Sequence, residues 1–197
     1  MAATPAPTRW RSACSRRLDE PKNWGATEEE RAARYPCDDL GFRPDDVFFR
    51  AIDVAAPAGL VFRWLCQLRV APYSYDWLDN FGKRSPPQLT RGAERLAVGQ
   101  SMMHIFRLHG FATGENITVA LKGAFPKWIA GDFAGSYRIF PNGDGNVRLV
   151  AKVLVAYPRG PYGALLRKRM PALDLFMFKK QLETLKAYAE RDALGSR

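Results

Sequence analysis

Residues 61–86 read VFRWLCQLRVAPYSYDWLDNFGKRSP. Val61, Trp64, Leu65 and Leu68 recur at spacings of three and four, the repeat of one apolar helix face. Pro72 ends that helix, because a proline ring carries no N–H and crowds the preceding turn. Ser74 has the chemistry of a cap, and a shorter helix is expected through Trp77 and Phe81 until Gly82 stops it. An apolar helix thus runs into an aromatic turn of Tyr73, Tyr75, Trp77 and Phe81. What flanks this pair decides the fold.

On the N-terminal side, residues 47–54 (VFFRAIDV) are rich in β-branched and aromatic side chains and form the first strand. Pro57 suits the start of the helix that follows. On the C-terminal side, residues 85–99 are irregular and strands then come in close succession. Residues 100–111 alternate Met102, His104, Phe106 and Leu108 on one face with Met103, Ile105, Arg107 and His109 on the other. Ile117, Val119 and Leu121 share a face of the next strand, and residues 125–129 fit either a short strand or a turn. Residues 133–140 lead into PNGDGN, a hairpin signal, and residues 147–156 return. On that last strand Val147, Leu149, Ala151, Val153 and Val155 face inward while Arg148 and Lys152 face water. Asn142, Asp144 and Asn146 have the spacing of a calcium loop, but the closing Glu is missing and a tight hairpin needs those same residue types.

A long helix over residues 165–191 ends the chain, with Pro171 near its start as a kink or restart. Leu175, Phe178, Leu182, Leu185 and Ala189 form one apolar seam, widened at its beginning by Leu173, Phe176 and Met177. An antiparallel sheet with one apolar face must cover it, and a single helix with a matching seam does so if the sheet curls. The expected class is α+β: a helix-grip fold, a curved antiparallel β-sheet wrapped around a long C-terminal α-helix, with two short helices after the first strand. Curling leaves space that large side chains or a ligand must fill. Residues 1–45 read as an N-terminal extension, partly disordered, in which Thr27 and Glu30 have capping-box spacing for a short helix to about Arg34. Residues 46–193 are the folded domain.

This order, with VFRWLCQLRVAPYSYDWLDNFGKRSP after the first strand and LDLFMFKKQLETLKAYAE at residues 173–190, resembles the START-like or Bet v 1-like superfamily. That group, often called SRPBCC, includes polyketide cyclase/dehydrase and lipid-transport proteins. The likeness covers about residues 47–190. It implies a cavity between the final helix and the sheet that takes a lipid, polyketide, hormone or other apolar molecule. Only some members catalyse cyclisation, aromatisation or hydrolysis.

The ligand contacts expected on this basis are Tyr73, Tyr75 and Trp77 at the entrance, Met102, His104, Phe106 and Tyr137 on the strands, and Phe178 and Gln181 on the helix. Each has a plainer reading. The aromatic turn serves equally as a small core with Trp77 as its anchor, and His104 as a hydrogen-bonded core residue. Asp174, Gln181 and Tyr188 fall seven apart along the seam edge; for Asp174 and Tyr188 a half-exposed flank is the preferred reading. His104 is the candidate for acid–base catalysis. The expected function is binding of a hydrophobic small molecule. The alternatives are a cofactor-independent cyclase/aromatase or hydrolase using His104, Tyr137 and Gln181, and a basic module docking on anionic membrane or nucleic acid.

The net charge of +10 motivates that last reading, but part of it lies at Arg9, Arg11, Arg16 and Arg17, and no nucleic-acid-binding motif accompanies it. No cofactor fingerprint and no metal-ligand spacing is present. Cys14, Cys37 and Cys66 are odd in number and far apart, which fits a reducing cytoplasm better than a disulfide framework. The N-terminal residues have no apolar block of a secretory signal, and no run approaches the ~18 apolar residues of a membrane span.

Overall fold

β1 (Asp46–Val54), β2 (Ser101–Met102), β3 (Phe106–Ala112), β4 (Asn116–Leu121), β5 (Asp132–Pro141) and β6 (Val147–Ala156) form one antiparallel sheet. Its spatial order is β1-β6-β5-β4-β3-β2, so the first strand closes the edge beside the last. The computed structural model describes residues 20–41, 43–123, 131–143 and 145–195. The strand or turn expected at residues 125–129, Asp144 of the hairpin, and the disorder and arginines expected within residues 1–19 lie outside them.

Among the described residues, five α-helices accompany the sheet: α1 (Glu20–Asn23), α2 (Glu28–Ala32), α3 (Ala58–Cys66), α4 (Asp76–Asp79) and α5 (Pro161–Gly195). α5 runs continuously through Pro171 and is about 52 Å long at 1.5 Å per residue. Its seam is laid on the sheet as the periodicity requires, with Leu182, Leu185 and Ala189 buried in the main core. α3 wedges beneath the same part of α5 and adds Trp64 and Leu65 to that core, and the 3-10 turn that follows it (Gln67–Arg69) adds Leu68. This is the helix-grip architecture of class α+β.

Three local expectations are corrected. Residues 100–111 are not one strand: Met103, His104 and Ile105 form a turn between β2 and β3, with φ of 44° at Met103 and 63° at His104. The Met103 N–H donates to the Leu68 carbonyl at 2.7 Å, pinning the turn to the end of the α3 segment. Alternation therefore breaks at Met103, and His104 does not share a strand face with Met102. Ser74 is no cap either; its hydroxyl donates to Asp79.

The third correction concerns the face of the sheet away from α5. Arg148 and Lys152 do point outward, but not into water. Arg148 pairs with Glu30 at 2.7 Å and Lys152 with Asp38 at 2.6 Å, both largely covered. Tyr35 and Cys37 cover this face, packing on Phe49, Ala51, Ala134, Val150 and Leu154 in a second core. The Thr27–Glu30 capping box forms as read, and Glu30 serves both the cap and Arg148. β6 carried the signal for this: VRLVAKVLVA is too continuously apolar for a strand with one wet face. Asn23 and Trp24 also bridge to Phe49 and Arg50, which shields part of the β1 edge.

Candidate functional site

Between the sheet and the first half of α5 lies a cavity of about 690 Å³. Val119, Leu121, Phe133, Gly135 and Val153 contribute the floor, and Met170, Leu173, Met177 and Phe178 the roof. Gly135 sits mid-strand opposite Val119 and Val153, where a side chain would otherwise stand. A Cβ there would come within 2.8 Å of the Lys152 carbonyl oxygen. The backbone approach excludes a side chain, and the floor is hollow at that point.

Few polar groups interrupt the lining. Tyr137 is buried, and its hydroxyl donates to Gln181 Oε1 at 2.6 Å. Gln181 Nε2 donates in turn to the Pro72 carbonyl at 2.6 Å, so the amide is held from both ends. Phe178 stacks on the Tyr137 ring with centroids 5.8 Å apart. Burial pushes the Tyr137 phenol above its ordinary pKa, which keeps it a neutral donor.

Asp174 lines the roof and is buried, not the half-exposed flank expected. Its Oδ2 accepts from Arg50 Nε at 3.0 Å and from Nη2 at 2.7 Å. Arg50 is fully enclosed and also donates to the carbonyls of Pro21, Lys22 and Phe49, each at 2.8 Å. Burial pushes the Asp174 carboxyl up to about 6, against the opposing pull of Arg50. The guanidinium, with its donors satisfied, stays charged. Neither partner was singled out as a pair in the sequence. The available signal was a charge interrupting each apolar face: Arg50 within VFFRAIDV and Asp174 within the widened seam.

The mouth is formed by α4 with the residues after it and by the Met103–Ile105 turn. Leu78, Phe81, Ile105 and Leu173 line it and are exposed, leaving an apolar rim. His104 stands on this rim with Nε2 2.8 Å from Asn80 Oδ1 and the Phe81 ring 5.7 Å away. Asp79 lines the cavity beside Ser74, and burial raises its carboxyl above the ordinary value.

Of the expected ligand contacts, His104, Phe106, Tyr137, Phe178 and Gln181 are brought to the cavity. Tyr73, Tyr75, Trp77 and Met102 lie off its lining. Tyr73 is buried edge-on against Trp64 and Tyr188, and Met102 sits in the main core. Tyr188, read as a half-exposed flank, is thereby part of an aromatic cluster with Trp64 at 4.9 Å. Tyr75 stacks on Phe176 at 4.2 Å. Trp77 is 72% exposed and anchors nothing, because α4 is a single turn and buries none of its residues. Met170, Leu173, Met177 and the strand positions around Gly135 were missed as lining, since the sequence marks them only as apolar.

The three groups a cyclase would bring together are divided. Tyr137 and Gln181 meet in the cavity, while His104 is bonded to Asn80 at the mouth. Among the described residues some basic side chains are paired with acids: Arg167 with Asp45, Lys22 with Asp46 and Lys186 with Glu190, beside the pairs on the outer face.

No family model and no curated protein matches the chain. Among solved structures it is similar to a Thermobifida fusca protein determined by NMR: 15% identity, 74% of this chain and 93% of the other, TM-score 0.49. It is similar to the ZhuI aromatase/cyclase from Streptomyces sp. R1128 at 19% identity, with 74% and 93% covered and a TM-score of 0.47. A START superfamily protein from Mycobacterium smegmatis follows at 12% identity, with 77% and 99% covered and a TM-score of 0.43. The architecture assigned above rests on the strand order and on α5.

Proposed function

We propose that the protein binds a hydrophobic small molecule, lipid- or polyketide-like, in the cavity between the sheet and α5. The observation that carries this reading is the cavity itself: about 690 Å³, lined almost wholly by apolar side chains, with Tyr137, Gln181 and Asp174 on one side. Volumes of roughly 300–1,000 Å³ with a few placed polar groups are those of ligand pockets. An unfilled apolar void deprives its lining of dispersion contacts, so a domain that keeps one gains by filling it. The exposed rim of Leu78, Phe81, Ile105 and Leu173 supplies an apolar entry route.

Residues 46–193 carry the cavity in this reading, and residues 20–41 buttress the sheet from behind. Binding is favoured over cyclisation because Tyr137 already spends its proton on Gln181 and His104 stands apart. Specific nucleic-acid binding is disfavoured because the net charge of +10 comes without a nucleic-acid-binding motif. Among the described residues no helix is long and apolar enough to cross a membrane. A reducing cytoplasm, in which the buried free thiols Cys37 and Cys66 persist, is the compartment proposed.

The test is native mass spectrometry of the purified protein, followed by organic extraction. Wild type is expected to carry an extractable apolar compound. Met177→Trp, which places a large ring in the roof, is expected to lose it while keeping its fold by circular dichroism. Wild type that carries none and takes up no apolar probe would count against the reading.

A further inference from the structure

Among the described residues, four other than glycine have left-handed backbone: Tyr73 (φ 58°), Phe81 (53°), Met103 (44°) and His104 (63°). Phe81, Met103 and His104 belong to the two segments that form the cavity mouth, and Tyr73 lies just before α4. Tyr73 stands between the lining residues Pro72 and Ser74, and the other three line the cavity themselves. Such conformations cost free energy and persist where surrounding contacts over-determine them, commonly at ligand sites. Here they hold four polar residues together: Ser74, Asp79, Asn80 and His104.

The hydrogen bonds among these four determine what remains open. Asn80 Nδ2 donates to the Lys83 carbonyl at 2.5 Å and lies 3.5 Å from Asp76 Oδ1. Both of those neighbours are acceptors, so the amide nitrogen must face them and Oδ1 must face His104. The His104 nitrogen at 2.8 Å, Nε2, is therefore the one bearing hydrogen, and in the neutral ring Nδ1 carries the lone pair. The Ser74 hydroxyl donates to Asp79 Oδ2. Asp79 Oδ1 is buried and has no hydrogen-bond partner. Among these four side chains every group left with open capacity is thus an acceptor: Asp79 Oδ1, His104 Nδ1 and the lone pairs of Ser74.

We infer that the mouth is a head-group site for the hydroxyl of an alcohol or phenol at one end of an otherwise apolar ligand, with Asp79 Oδ1 accepting its proton in a hydrogen bond. The inference rests on the cavity reading above and names the chemistry of what the cavity takes. A ligand ending in a carboxylate would meet Asp79 with like charge and no donor. A ligand without a polar end would leave Asp79 Oδ1 buried and unsatisfied. The apolar body extends past Phe81 and Phe106 toward the hollow at Gly135.

The test compares estrone, whose one donor is its phenolic hydroxyl, with 3-deoxyestrone, which lacks that hydroxyl and adds no bulk. Affinities are measured by titration calorimetry at pH 8. Wild type is expected to bind estrone about tenfold or more tighter, the range of a hydrogen bond to a charged acceptor. Asp79→Asn is expected to bring the two within about twofold, chiefly by weakening estrone, with a circular dichroism spectrum like that of wild type showing that the variant is folded. His104→Asn, a residue type tolerant of left-handed backbone, is expected to lose a smaller part of the preference, about threefold. Equal affinities in wild type, or a preference that survives Asp79→Asn, would overturn the head-group site while leaving the cavity reading intact. Binding of neither steroid would overturn both.

Discussion

The two halves of α5 lie on the same sheet and end in opposite states. Beyond Gln181, the helix meets a filled interior: Leu182, Leu185 and Ala189 pack with Ile117, Leu149 and the α3 residues Trp64 and Leu65. Trp64, Tyr73 and Tyr188 close that half with mutual ring contacts, and Trp64 Nε1 donates to Asp192 Oδ2 at 3.0 Å. Before Gln181, Met170, Leu173 and Met177 face Val119, Gly135 and Val153 across a void. Both halves of the helix are apolar toward the sheet. The difference is α3, which wedges a large indole into one half and does not reach the other, and Gly135, which removes a side chain from the floor of the hollow half.

Breaking the filled half should have the largest effect. Trp64→Ala removes a fully buried ring and is expected to cost about 3–5 kcal/mol of stability by urea denaturation. A cost below 1 kcal/mol would mean that the two halves are equally loose. Next comes the roof of the hollow half, where Asp174 is held by Arg50. Burial raises this carboxyl from 3.8 to about 6, so the folded state binds its proton more tightly than the unfolded chain. The stability this confers is fully present below about pH 3.8 and is lost as the pH rises through about 6. Relative to Asp174→Asn, wild type should therefore lose on the order of 2–3 kcal/mol between pH 4 and 7, judged by paired denaturation curves. A difference independent of pH would show that Arg50 offsets the burial in full. Smallest is Met177→Ala in the hollow half, expected to cost under ~1 kcal/mol because the removed atoms already face a void. A cost like that of Trp64→Ala would mean the cavity is collapsed in solution.

The parts of this molecule legible in the sequence are those in which neighbouring residues carry the information. The apolar repeat of residues 173–190, the alternation of β4 and β6, the hairpin residues after β5 and the Thr27–Glu30 cap each depend on positions a few residues apart. Misreadings arose where a distant partner overrode the local pattern. The Leu68 carbonyl captures the Met103 N–H and turns His104 out of a strand it was expected to share with Met102. Tyr35 and Cys37 arrive from the N-terminal extension to bury a face on which Arg148 and Lys152 were expected to meet water. Arg50 and Asp174, 124 positions apart, neutralise each other inside apolar surroundings, and neither residue's neighbours announce the other.

By itself the sequence determined which elements form, in what order, and which face of each is apolar, and that sufficed for a sheet gripping a long helix. Residues 61–86 marked the place where the grip is plugged. Only the tertiary structure decided that the plug fills one half of the grip and leaves the other open, and that Ser74, Asp79, Asn80 and His104 gather at the opening. The physical reason is that periodicity reports which side of an element avoids water. Whether that side meets another side chain or an empty volume depends on where elements far apart in the chain come to rest.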